Sequence, residues 1–213
     1  VFVTLRNRLT ELIFGLDWHG IGRVPTVVSA RELKAKRESM LPAVEAKGFS
    51  QPATEFECMY TVRVRCNEQR AWSLLAKFGE EQRPYLNPRW VKIRRTHGAP
   101  LEPGCVINYS IFGSFLSFSI EQQANANHHL LVYKVKGGFA HGGYFVFAVD
   151  PLSSGHCDIT VYLGFNYAQG HSLPTRVYWR FFRLLFPESI HDVLWNHALC
   201  ELRRTAEQHC QTA

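Results

Sequence analysis

The stretch that decides the fold is FVFAVDPLSSGHCDITVYLGFNY, residues 145–167. Ile159, Val161, Leu163, Phe165 and Tyr167 alternate with Asp158, Thr160, Tyr162 and Asn166, which predicts a strand over 157–167 with one covered and one wet face. A second run, over 141–150, precedes it, and DPLSSG between them is turn chemistry. A link that short joins antiparallel neighbours, because a parallel pair needs a long crossover. The stretch therefore reads as the closing hairpin of an antiparallel sheet.

Working back from it, runs near 129–136, 115–124, 105–112 and 90–97 are separated by KGG, NAN, FGS and GAPLEPG. An earlier strand starts at Phe56, where Phe56, Cys58, Tyr60, Val62 and Val64 share a face. Asn67 can cap a helix with Ala71, Trp72, Leu74, Leu75 and Phe78 on its inner side. A second short helix is expected to lead into RPYLNP, stopped by Pro84 and Pro88.

After QGHSLP the period turns helical. One segment, Thr175–Phe186, stops at Pro187, which can open the next helix at its first turn. Ile190, Val193, Leu194, His197, Leu199 and Leu202 then mark a helix of roughly twenty residues.

Residues 1–54 read differently, as a helical extension ahead of a domain over 55–213. VTLRNRLTELIFGL (3–16) carries a leucine stripe at helical spacing. Ser29 with Glu32 forms a capping box for a helix from Ala30 to Ser39, and Pro42, Gly48 and Pro52 mark an irregular connector.

The chain of 213 residues is 46% hydrophobic and 20% charged, an ordinary globular balance. No apolar run approaches the ~18 residues of a membrane span, and the N-terminus lacks a secretory pattern, so the expected location is the cytoplasm. The six cysteines are scattered, with no C-x-x-C pair, and read as reduced, mostly buried thiols. Net charge is +6, and nine Lys/Arg against three Glu fall between Arg63 and Arg95. No zinc-finger, RRM or helix-turn-helix pattern accompanies that bias, so a solvated basic face is expected rather than a nucleic-acid partner. No metal site is expected: His128 and His129 point to opposite strand faces, and His191 and His197 lie about 240° apart round a helix.

The order of elements resembles the helix-grip fold of the START-like (SRPBCC) superfamily, which includes polyketide cyclases, lipid-transfer domains and pollen-allergen proteins. VRVRCNEQRAWSLLAKF is similar to that family's first strand and helix. YLNPRWVKI resembles the entry to its second strand, PLEPGCVINYSI its Pro-Gly turn into the third, and residues 145–167 its closing hairpin, with Cys157-Asp158 where many relatives have Gly-Thr. The resemblance covers residues 56–210. It implies an α+β domain in which a curved antiparallel sheet of about seven strands wraps a long C-terminal helix around an apolar cavity. A lipid, sterol, aromatic polyketide or similar compound would fill that cavity, without a cofactor.

Three functions follow as expectations. The first is binding, and transport, of a hydrophobic small molecule or lipid. The second is an aromatase/cyclase or dehydratase with a cavity histidine as general acid/base. The third is a protein-interaction module using the basic surface or the extension. Strand parity places His141, in GGFAHGGYF, on the face of Phe145 and Phe147, unless the glycine pairs make a bulge and turn it to solvent. His197, and Tyr109 beside Ile107 and Ile111, are the other catalytic candidates. Trp90, Ile107 and Tyr133 are expected to bind ligand from the first strands. Phe145, Phe147, Phe165 and Tyr167 would do so from the closing hairpin, and Leu194 from the helix. Finally, TRVYWRFFRLLF (175–186) mixes arginines with aromatics: such a helix can rest peripherally on an anionic membrane, but its patterning favours a helix docked on the domain with its arginines in water.

Overall fold

The structure is a computed structural model that describes residues 30–46, 48–49, 54–113, 116–123, 130–153, 155–167, 172–185 and 187–208. The leucine-striped segment 3–16, Ser29 of the capping box and the His128–His129 pair lie outside the described residues.

Seven strands form one antiparallel sheet: β1 (Phe56–Val64), β2 (Val91–His97), β3 (Val106–Ile111), β4 (Leu116–Gln122), β5 (Leu130–Gly138), β6 (Ala140–Ser153) and β7 (His156–Tyr167). Their spatial order is β1-β7-β6-β5-β4-β3-β2. β2 to β7 neighbour one another in chain order as a meander, and β1 closes onto β7 with Phe56 opposite Phe165 and Val64 opposite Cys157. Four helices are described: α1 (Ala30–Glu45), α2 (Glu68–Leu75), α3 (Leu173–Leu185) and α4 (Pro187–Gln208).

The inner sheet face holds the main core. Phe78 sits at its centre, with ring centroids 4.8 Å from Phe147 and 5.5 Å from Phe145. Leu194, Trp195, Ala198, Leu199, Leu202 and Ala206 close that core from α4. Polar clasps tie the helix down: Tyr60 donates its hydroxyl to Asp192 at 2.8 Å, and Glu201 accepts the Leu86 amide at 2.9 Å.

Asn67 caps α2 as expected, accepting from the Arg70 amide at 2.9 Å. The second short helix does not form; residues 76–79 and 81–82 are turns. Buried Arg83 organises that passage instead, donating to the backbone carbonyls of Glu80, Leu86 and Ile93. Those carbonyls serve a guanidinium where a helix would have used its own amides.

Two further expectations are corrected on the outer face. The helix after residue 29 does not stop at Ser39 but continues through Pro42 to Glu45. A proline removes one helical hydrogen bond, and burial of Met40 and Val44 on either side of it offsets that loss. Those side chains pack with Leu130, Val132, Tyr144, Val146 and Tyr162, on the face expected to be wet. Asp158, Thr160 and Tyr162 are consequently buried. Burial alone would raise the Asp158 carboxyl, but bonds from Arg63 at 2.9 Å and from Lys36 at 3.3 Å outweigh it and hold the group below its ordinary value.

Candidate functional site: an aromatic cavity beneath the last helix

A cavity of about 280 Å³ lies between the inner sheet face and α4. Its floor is Phe145, Leu163, Phe165 and Tyr167 of the closing hairpin. Tyr109 and Phe118 form one wall as a stacked pair with centroids 4.5 Å apart. His191, Leu194 and Trp195 of α4 form the roof, and Phe112, Tyr178 and Phe181 edge the opening. Ten of the fifteen described lining side chains are Phe, Tyr or Trp, so the void offers flat apolar surface to whatever enters.

Five residues expected from sequence meet on this cavity: Tyr109, Phe145, Phe165, Tyr167 and Leu194. Ile107, Tyr133 and Phe147 are core residues beyond its walls. Trp90 stands outside it, stacked on Phe112 at 5.3 Å.

Neither histidine singled out from sequence reaches the cavity. His141 is exposed. It pairs with Asn166, but the next matched pair is Tyr144 with Gly164, so β6 carries one extra residue there. Gly142 (φ 63°) and Gly143 (φ 78°) form that bulge in left-handed conformations. Ala140, opposite Tyr167, therefore takes the neighbouring inward position and His141 is turned outward. His197 is on the flank of α4, its Nε2 3.3 Å from Glu201, which is itself engaged with Leu86.

The histidine that does line the cavity is His191. Its ring lies 4.6 Å from Phe56 and 5.8 Å from Phe165. Its buried Nδ1 has no hydrogen-bond partner among the described residues. Loss of water around the ring pushes its pKa down to about 4, so the imidazole is neutral near pH 7. The signal for it was present in the sequence: His191 is three and four residues before Leu194 and Trp195, on the inner stripe of the helix. Tyr109 contributes a second buried unpartnered atom, its hydroxyl, held far above its ordinary pKa by burial and therefore a neutral donor.

The His191 shift has a consequence for stability. The unfolded chain binds a proton near pH 6.5 and the folded chain only near pH 4, so folding is destabilised as pH falls through that window. The loss reaches at most about 3 kcal/mol. Equilibrium unfolding of the wild type and His191→Phe between pH 7 and pH 4 checks this: the variant is expected to lose less stability on acidification.

Among the described residues no cluster of three or more metal-ligating side chains occurs, and no helix is long and apolar enough to cross a membrane.

Seven antiparallel strands gripping a long C-terminal helix over an aromatic cavity define the helix-grip fold, and comparison with solved structures agrees. A solution structure from Thermobifida fusca matches with TM-score 0.51 and 18% identity, covering 70% of this chain and 92% of that one. The Zhui aromatase/cyclase from Streptomyces matches with TM-score 0.50 and 11% identity, covering 70% and 95%. A norcoclaurine synthase point mutant from Thalictrum flavum, in complex with a transition-state analogue, matches with TM-score 0.51 and 13% identity, covering 75% and 99%. The chain has the helix-grip fold of the START-like (SRPBCC) proteins; at these identities the likeness is one of fold. No family model and no curated protein matches the sequence.

Proposed function

We propose that the protein binds one hydrophobic small molecule of ring-system size in the cavity under α4, with His191 as its hydrogen-bonding contact. The observation that carries this reading is an aromatic void lined by a neutral histidine whose buried Nδ1 has no partner among the described residues. Its volume lies near the lower end of ligand pockets, ~300–1,000 Å³, which favours a compact molecule over a two-chain lipid. Affinity would come from apolar area at ~25 cal/mol per Å² and orientation from His191. The reading needs no cofactor and fits a cytoplasmic carrier.

The test is titration with N-phenylnaphthylamine, an uncharged apolar fluorophore. Uptake at one site per chain, with Trp195 emission quenched, is expected. A protein that takes up none overturns the reading.

His191 also favours a second reading, proton transfer on the bound molecule. Two fold neighbours named above are an aromatase/cyclase and a synthase. In this reading His191, rather than His141 or His197, removes a proton from a carbon beside a carbonyl, and Tyr109 polarises the carbonyl oxygen. It predicts that His191→Gln lowers turnover of a carbonyl substrate with little change in its binding, whereas a carrier forms no product with either chain.

A further inference from the structure

Large apolar side chains are seldom left in water on a folded surface, and among the described residues those exposed here are gathered in one place, apart from Leu152 near the end of β6. Among the described residues, Leu173 (76% exposed), Val177 (61%), Phe181 (61%) and Tyr178 (40%) are on α3, and Phe112 (44%) is at the β3–β4 turn. Phe112, Tyr178 and Phe181 edge the opening of the cavity, so these two elements meet round a single mouth.

The helix has the organisation of an interfacial element. Leu173, Val177 and Phe181 follow one another at four-residue spacing, each advancing about 40° round the helix. They form a stripe along its outer side, with Arg176 and Arg180 beside it and also exposed. Trp179 points the other way and packs against the core. Leu173–Leu185 contains no Asp or Glu. Across the mouth, Phe112 has φ 53°, a left-handed backbone that costs a non-glycine residue about 1 kcal/mol. Its ring is held over Trp90, and exposed Arg89 immediately precedes that tryptophan.

We propose that this rim is a docking surface for an anionic lipid bilayer. The stripe on α3 and the Phe112 tip enter the headgroup region, and Arg176, Arg180 and Arg89 meet lipid phosphates and carboxylates. A polar protein partner would set Leu173 and Val177 against polar groups, and a neutral bilayer would offer the exposed Arg180 and Arg89 no counter-charge. A bilayer with anionic lipid satisfies both sets. Docked in this way, the cavity opens onto lipid rather than water. The inference goes beyond ligand binding and does not depend on which molecule fills the cavity.

The test is co-sedimentation of the full chain with phosphatidylcholine vesicles, with and without phosphatidylserine. Partition at least about tenfold stronger onto the phosphatidylserine vesicles is expected, weakening as salt is raised. The double variant Leu173→Asp, Val177→Asp touches neither cavity nor core. It is expected to lose about tenfold of that partition while its circular dichroism, unfolding midpoint and fluorophore uptake stay as in the wild type. Three results overturn the proposal: no preference for phosphatidylserine; undiminished binding by the variant; or a lower unfolding midpoint or a dissolved dimer in the variant, which would seat protein on the rim. Fluorophore uptake, read on the same samples, reports on the cavity separately.

Discussion

Gly143→Ala is expected to destabilise the protein by at least about 3 kcal/mol, a large share of the ~5–15 kcal/mol that holds a domain together. Two costs add. The backbone at Gly143 has φ 78°, where a side chain is strained. A Cβ there would also stand 2.0 Å from the Gly164 carbonyl oxygen, in the backbone of β7, which is held in register on both sides and has no room to retreat. Its neighbours provide the scale. Gly137→Ala meets nothing within 4 Å and has no left-handed φ, so it should be close to neutral. Gly142→Ala shares the left-handed conformation (φ 63°) but meets only the Asn166 side-chain amide at 3.3 Å, and should cost about 1 kcal/mol. Urea unfolding of the three variants checks the ranking. A Gly143→Ala protein as stable as Gly137→Ala would mean that the β6 bulge is not where this structure puts it.

Leu194→Trp is the functional counterpart. Leu194 is buried on the inner side of α4 and lines the cavity, so an indole at that position occupies the space a ligand would take. Filling an existing void forces few neighbours aside, and stability should change by less than about 1.5 kcal/mol. Fluorophore affinity should fall at least tenfold, about 1.4 kcal/mol. Unchanged affinity would place the fluorophore outside the cavity. A variant that fails to fold is distinguished by its unfolding curve, and Leu163→Trp then tests the same space from the floor.

Much of the architecture is legible because alternation and turn chemistry are local. Residues 145–167 announce a hairpin, and the strands read backward from it agree with β2–β7 to within three residues at either end. What sequence could not supply is long-range. The outer face was expected to be wet because nothing in 157–167 reveals that Lys36, Met40 and Val44 of a distant helix cover it. His141 failed on one inserted residue: parity is a strict count, and the bulge at Gly142-Gly143 broke it. The glycines were the warning, but pairing with β7 decided the outcome. The spacing of His191 to Leu194 and Trp195 puts it on the inner face, but nothing in the helix sequence says that the sheet leaves a cavity beneath that turn. The exposure of Phe112 rests on a left-handed backbone and a partner in another strand, neither of which leaves a pattern in sequence.

The central claim, that the space beneath α4 is built for a guest, is tested most directly by native mass spectrometry of the protein as purified, followed by denaturing extraction. The account predicts a discrete added mass of one compact apolar molecule per chain. It is removed on unfolding, and it is diminished in Leu194→Trp. A stable wild-type chain that carries no added mass and still takes up no apolar compound after extraction would contradict it.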